Sequence, residues 1–431
     1  MNPTSLYLCY QSLLEPLTQT QVVAYLEGLA QAGYGVVLLT FEPKPLGEEE
    51  VKTWGERLSG KGIIWYSLPY HKRPTVPATA WDVLAGVWTG LRLIRRHRVG
   101  LVHARAHVPG VMGLILKRLT GVKLLFDVRG LMAEEYADAG VWPAGGLLFR
   151  ATKRAERALV KAADGVVVLT HRAQGLLEEW YPRELAGKPV EVIPCCADLR
   201  DQPAPPFNRE DGPTFVYAGK LGGWYLTEEM VAFVARATEV LPNLRWQVWT
   251  QSDPAPLRRL LVDHDLEGRT TIGQKSPEAL RSELAVARAG LSFIKPCLSK
   301  IASSPTKIAE YLAAGLPVVS TAGIGDTDRL LGRGETAGPT GDGPGLGVIL
   351  EGEAPEDYRR AAEELRRLLD DPDTPCRCRA AARDHFDLET VGWTRYRRLY
   401  AALTESARNP GRVPLPTDSE ARRPTTRARP E

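Results

Sequence analysis

Short apolar runs alternate with helical patterns along nearly the whole chain. Leu6–Tyr10, Val36–Phe41, Ile63–Leu68, Leu101–Ala106, Lys123–Val128, Val166–Thr170 and Val190–Pro194 read as strands. Between them, Gln19–Ala32, Thr79–Arg96, Pro109–Leu119 and Gly146–Ala162 read as helices, the first closed by Gly33. The alternation stops at residues 200–213, which are rich in proline and charge and read as a linker. It restarts with strands at Thr214–Ala218, Trp246–Thr250, Thr270–Ile272, Leu291–Ile294, Val318–Thr321 and Val348–Leu350, followed by helices at Pro355–Asp370 and Leu388–Leu403. Strands separated by helices predict parallel sheets with crossovers, and the break predicts two doubly wound α/β halves facing a cleft. From Ser406 onward the chain is Arg, Pro and Thr with little apolar content, which predicts disorder.

The stretch from Ser303 to Thr321 is the most informative local feature. It predicts a short helix capped by Ser304, with Pro305 at its first position and Gly315 as its left-handed stop, then a buried strand. Lys307 and Glu310 lie three apart on one helix face. A helix N-terminus and a first-turn lysine suit a phosphate, and a carboxylate one turn later can accept two hydrogen bonds from a sugar diol. Such a pair alone more often marks a solvated surface. The order of cap, Lys, Glu, small residues, Gly, Pro and strand is what favours a site.

Composition narrows the classes. The chain has 431 residues, 44% hydrophobic and 25% charged, which describes a globular protein of two domains. A net charge of +3 gives no argument for nucleic acid. The six cysteines form no CxxC and no zinc spacing, and they read as reduced thiols in the cytoplasm. No signal-peptide pattern and no membrane-spanning apolar run is evident.

The Ser303–Thr321 order resembles the C-terminal signature of family 4 (group 1) glycosyltransferases of GT-B fold. The resemblance extends over about residues 5–404 and is strongest from Phe215 to Leu331. It implies an N-terminal acceptor-side domain at 1–199, a linker at 200–213 and a nucleotide-sugar-binding domain at 214–386. A helix at 387–405 then crosses back to the first half, and a disordered tail occupies 406–431. It implies a sugar moved from a nucleotide sugar, UDP- or GDP-linked, to a glycan or lipid-linked acceptor, with retention of configuration and without cofactor or metal. Asp326-x-Asp328 has a metal-like spacing but reads as a turn.

On this resemblance, Gly219 and Lys220 open the phosphate loop. Lys220 and Lys307, with backbone amides around Ser304 and Thr306, hold the diphosphate, and Glu310 holds the ribose. Two departures stand out. Relatives often carry a basic residue five or six positions after Lys220, where this chain has Tyr225 and Leu226. Many carry a glutamate eight positions before Glu310, where this chain has Ala302. In the first half, the loop from Gln11 to Gln21 faces the acceptor without the usual glycines; Ser12, Glu15 and Gln19 are candidates there, and Thr18 reads as a helix cap. Arg129 and Glu134 are catalytic-side candidates, and Arg105, His107 and Asp127 are acceptor-side candidates. An Asp127–Arg129 ion pair is the structural alternative.

Basic residues at Arg92, Arg95, Arg96, Arg98, Lys117 and Arg118, and at Arg150, Lys153, Arg154, Arg157 and Lys161, suggest peripheral contact with an anionic inner membrane or a solvated surface. A non-catalytic binding partner, for which Ala302 speaks, and a sugar-nucleotide epimerase of the same fold are the other functions open at this stage.

Overall fold

The computed structural model describes residues 2–200, 212–332 and 345–405. Most of the expected linker and the whole expected tail lie outside the described residues. Among the described residues one sheet contains β1 (Thr4–Cys9), β2 (Gly35–Glu42), β3 (Ile63–Pro69), β4 (Val99–Arg105), β5 (Lys123–Asp127), β6 (Gly165–Val168) and β7 (Val190–Val192). Their order is β3-β2-β1-β4-β5-β6-β7, with every neighbour parallel. The second sheet contains β8 (Thr214–Ala218), β9 (Arg245–Trp249), β10 (Thr270–Gly273), β11 (Ala289–Ser292), β12 (Val318–Thr321) and β13 (Gly347–Leu350). Its order is β10-β9-β8-β11-β12-β13, again parallel.

Helices cover both faces of each sheet, so strand residues are buried on both sides and read as unbroken apolar runs. Strand order reverses beside β1 and β4 in the first sheet and beside β8 and β11 in the second. Such switch points leave a crevice at the carboxyl ends of the strands, where ligands sit in open α/β sheets. The loops after β1, β4, β8 and β11 carry Gln11–Gln21, Arg105–His107, Gly219–Trp224 and Phe293–Ser304. Most of the candidate residues are therefore brought to these edges by topology.

The chain returns to the first half at its end. A π-turn at Leu388–Trp393 leads into the helix Thr394–Glu405, and Asp387 caps the turn by accepting from the Thr390 N–H at 2.8 Å. Leu388, Val391, Trp393, Tyr396, Leu399, Tyr400 and Leu403 join the apolar core of the first sheet, beside Tyr7, Leu26 and Leu29. Polar contacts fix the depth of this docking. The Tyr396 hydroxyl donates to Asp127 Oδ2 at 3.2 Å, and the Tyr400 hydroxyl bonds His103 Nδ1 at 2.9 Å.

The first helical segment departs from expectation. It begins at Pro16 with Glu15 at the cap, continues through a π-turn at Gln19–Val23, and becomes the helix Ala24–Gln31. Thr18 caps nothing; its hydroxyl is buried without a partner. Proline at the first helical position moves the start two residues upstream of Thr18.

Gly28 shows how tightly the returning segment fits. A Cβ there would lie 2.2 Å from Trp393 Cγ, and the Trp393 ring is held by its Nε1 donating to the Ala24 carbonyl at 2.8 Å. Gly28→Ala should therefore lose about 1–3 kcal/mol by overpacking, more than the ~1 kcal/mol that alanine gains in a helix. Urea denaturation checks this: a lower midpoint is expected, and an unchanged or higher one would show that the contact yields.

Candidate functional site

Lys307 lies in the first turn of the helix Thr306–Ala313, beneath the loop that follows β8. Its ammonium is 4.1 Å from the centre of the Tyr217 ring and 4.6 Å from that of Tyr225. The side chain is 7% exposed and Nζ has no hydrogen-bond partner. A Cβ at Gly219 would stand 2.9 Å from that Nζ, and Gly219 has φ +152°. Both facts require glycine here: its backbone conformation is one that other residues rarely adopt, and the space is already filled by the lysine. Burial pushes the Lys307 ammonium down to about 7, against the opposing pull of Glu310. Glu310 is half-buried, and desolvation raises its carboxyl while Lys307 and Arg281 oppose the rise. A cation desolvated between two rings with no acceptor is an arrangement that a bound anion completes.

The sequence reading recognised Lys307 and Glu310 but missed the rings around the lysine. The position where a second basic residue is expected, Tyr225, contributes one face of the ammonium's cage. Lys220 is exposed; its carbonyl accepts from the Tyr217 hydroxyl, so its backbone helps fix that ring.

Ser304 does not cap the helix. Pro305 occupies the cap position without a side-chain bond, and Ser304 Oγ instead accepts from the backbone N–H of Cys195 in the first half, at 3.1 Å. The serine bridges the cleft, which outcompetes capping of its own helix. Other bonds join the halves nearby. Thr170 Oγ1 donates to the Ile301 carbonyl at 2.8 Å, and the Ser299 N–H donates to Asp138 Oδ2 at 2.9 Å. Asp326 Oδ2 accepts from the His171 N–H at 2.8 Å and contacts His171 Nδ1 at 2.9 Å; its Oδ1 accepts from the Arg172 N–H at 3.2 Å. Asp328 accepts from the Gly323 N–H at 2.9 Å. Asp326 and Asp328 thus organise a turn and an inter-half contact. Ala302 is buried in an apolar cluster whose other members, among them Leu131, Ala173 and Leu177, all come from the first half. A carboxylate in that setting would be desolvated at high cost.

Two residues that sequence reasoning passed over also stand in the cleft. The Lys300 ammonium lies 4.0 Å over the Trp224 ring and 3.6 Å from Glu135 of the first half. The signal was available as a lysine seven positions before Lys307, but it carries no distinctive pattern.

The first-half candidates form two buried polar clusters. Asp127, fully buried, lies 3.6 Å from Arg105 Nη1, 3.6 Å from His103 Nε2 and 3.5 Å from Arg129 Nη1. Burial would raise its carboxyl, but Arg129, His103 and Arg105 hold it well below the usual range. This is the structural ion pair, extended to a network. Arg129 Nη2 also reaches Cys195 Sγ at 3.5 Å, which places the guanidinium one residue's contact from Ser304. In the second cluster, His107 Nε2 bonds Glu156 at 3.0 Å, and Lys153 pairs with Glu156 at 2.5 Å and Glu134 at 2.9 Å. Burial opposes ionisation of Glu156, yet His107 and Lys153 hold it down to about 2. His107 and Glu134 are both buried in this network. Gln19 Nε2 donates to the Leu13 carbonyl at 3.3 Å and holds the loop after β1. Ser12 and Glu15 line a cavity of about 300 Å³ with Leu14, Pro43, Lys44 and Leu46.

Residues 18–196 match the model of a family described as a glycosyl transferase 4-like domain. No curated protein sequence matches the chain. Among solved structures, it resembles a glycosyltransferase from Rickettsia africae, at 13% identity over 94% of this chain and 99% of that one, TM-score 0.67. It also resembles a sucrose-phosphate synthase from Thermosynechococcus elongatus, at 19% identity over 93% and 100% of the two chains, TM-score 0.67. A third likeness is to Anabaena HepE in complex with UDP-glucose, at 13% identity over 92% and 99%, TM-score 0.63. These likenesses establish the GT-B fold.

The Lys307 shift has a proton signature. Unfolded, the lysine keeps its proton up to about its ordinary value of 10.5; folded, it releases it near 7. Between those values the unfolded chain binds more protons, so stability should rise with pH across this window. A diphosphate beside Nζ restores the charged form. Binding of an anion at this site at pH 8 should then take up close to one proton. Calorimetry in Tris and in HEPES, whose ionisation enthalpies differ, measures the uptake; equal heats in both, or uptake that persists in Lys307→Met, would contradict the assignment.

Proposed function

We propose that this chain, which has the GT-B fold and matches a glycosyl transferase 4-like domain over residues 18–196, is a glycosyltransferase that transfers a sugar from a nucleotide sugar to an acceptor hydroxyl. The observation that carries the reading is the Lys307 ammonium, buried and without a partner beneath the Gly219 loop. HepE was solved with UDP-glucose, which makes UDP sugars the first donors to try. The acceptor is a growing glycan or a lipid-linked glycan, and cell-surface or exopolysaccharide synthesis is the setting that the family resemblance suggests.

In this reading Glu310 accepts the ribose hydroxyls. Lys307, Lys220 and the Ser304 and Thr306 amides surround the diphosphate. The bond between the anomeric carbon and the β-phosphate oxygen breaks, and its electron pair passes to the diphosphate. The acceptor oxygen bonds to the anomeric carbon, and its proton leaves to the departing phosphate oxygen. Charge grows on the diphosphate as this happens, so preorganised donors there lower the barrier. Arg129, held by Asp127 and adjacent to Cys195, adds positive potential across the cleft. The resemblance implies retention at the anomeric carbon and no metal.

Ala302 favours a second reading, a protein that binds the nucleotide sugar without turnover, because its apolar setting leaves no carboxylate where relatives use one. Two measurements separate the readings. A melting-temperature panel of UDP, GDP, ADP and dTDP sugars should give a selective shift that Glu310→Ala loses. With an acceptor found, Lys307→Ala should lower kcat about 10²–10³-fold, the usual effect of removing one charge-stabilising donor. Wild-type turnover in Lys307→Ala would sink the diphosphate role. A selective shift with no transfer to any acceptor would support the binding-only reading.

A further inference from the structure

The helix Thr75–His97 presents an outward stripe that the fold leaves uncovered. Val76, Trp81, Leu84 and Trp88 are 63%, 62%, 62% and 59% exposed. Trp81, Leu84 and Trp88 follow helical spacing, and the same stripe continues through exposed Arg92 and Arg95. Arg92 lies 4.7 Å over the Trp88 ring. The opposite face carries Gly86 and Gly90, against Met112 and Leu116, so the inner side is packed while the tryptophans are not.

Charge on this helix is one-sided. Its single acid, Asp82, is buried, where it accepts from the Tyr10 hydroxyl at 2.6 Å and pairs with His71. Lys72 and Arg73 before the helix, and Arg92, Arg95, Arg96 and Arg98 at its end, are exposed. The second basic group named from the sequence differs. Lys153 is tied to Glu134 and Glu156 and Arg157 to Glu184, and in the first group Lys117 is tied to Asp164. Arg118, Arg150, Arg154 and Lys161 are exposed as well, so what sets the helix Thr75–His97 apart is that its exposed arginines share a stripe with exposed tryptophans.

We infer that this face lies in the interfacial zone of an anionic bilayer, with Trp81, Leu84 and Trp88 among the acyl–headgroup boundary groups and the arginines on anionic headgroups. Tryptophan suits that zone because its ring is apolar and its N–H wants a polar partner. Apolar burial and headgroup attraction act together in such helices, and neither alone anchors firmly. Uncovered, anion-seeking and apolar at once, the stripe matches a bilayer in both chemistry and charge. Among the described residues no helix is long and apolar enough to cross a membrane, and the contact inferred here is one along the bilayer surface. The Tyr10–Asp82 bond sets the first turns of the helix against the carboxyl end of β1, the edge from which the Ser12–Glu15 cavity opens. That edge would face a lipid-linked acceptor, a consequence that rests on the transferase reading; the surface itself does not.

Cosedimentation of the full chain with vesicles tests it, using phosphatidylcholine alone and mixed with phosphatidylglycerol. The wild type should pellet with the anionic vesicles, lose binding as salt rises, and have its fluorescence quenched by brominated lipid. Trp81→Ser/Trp88→Ser and Arg92→Glu/Arg95→Glu should each reduce partitioning about tenfold or more. A UDP-induced melting shift equal to that of the wild type would show these variants folded and keep the donor reading separate. The proposal is overturned if the wild type stays in the supernatant, or if the tryptophan variant pellets as well as it does. A wild-type dimer that the tryptophan variant dissolves would equally overturn it, since a second copy then covers the face.

Discussion

A lysine ammonium shut away from water without a carboxylate in contact is expensive, and the second half of this protein is arranged around one. Water is replaced at Lys307 Nζ by two tyrosine faces, which return only part of the lost hydration. The remaining deficit appears as a weakened hold on the proton. Several sequence choices become necessary once that cation is in place. Position 219 has no room for a side chain, Tyr217 is fixed through the Lys220 carbonyl, and Tyr225 supplies the second ring. On the proposed reading that cost is recovered when an anion enters, so ligand binding is expected to couple to protonation and to stability.

The segment that leads into the lysine's helix also joins the halves. Residues 298–304 run from Lys300, over Trp224 and near Glu135, through the buried Ala302, to Ser304 on the Cys195 amide. The proposed nucleotide contacts and the inter-half contacts therefore share one short stretch of backbone. Across the cleft, the Asp127 network is closed from behind by Tyr396 of the returning helix. Arg129 is held in place by that network, so the far C-terminal segment supports the geometry of the cleft without lining it. The tryptophan-bearing helix packs on the other face of the same sheet, with Leu6, Val37 and Phe41, and is tied to the end of β1 through Asp82.

Much of this was legible in the sequence. Parallel strands buried on both faces announce themselves as apolar runs, so Thr214–Ala218 and Val318–Thr321 were found to the residue. The Lys307–Glu310 face was legible because its punctuation is local: proline, glycine and proline mark both helix ends. What failed had non-local causes. Ser304 looked like a cap because capping is a local rule, but its partner is Cys195, more than a hundred residues away. Thr374–Phe386 was left unassigned because its inner face is made of alanine and cysteine and shows little hydrophobic period. His107 and Glu134 looked available for chemistry because nothing in sequence places Glu156 and Lys153 beside them. The exposed tryptophans were hidden by the opposite error, since an apolar helix reads as core until its uncovered face is seen.

The most direct test of the central claim is amide hydrogen exchange across the chain with and without UDP. The account predicts slowed exchange in two separated segments, Gly219–Tyr225 and Ser304–Ile308, because a diphosphate on Lys307 bridges the loop and the helix start. Protection in only one of them, or in neither while UDP is bound, would place the nucleotide elsewhere and contradict it.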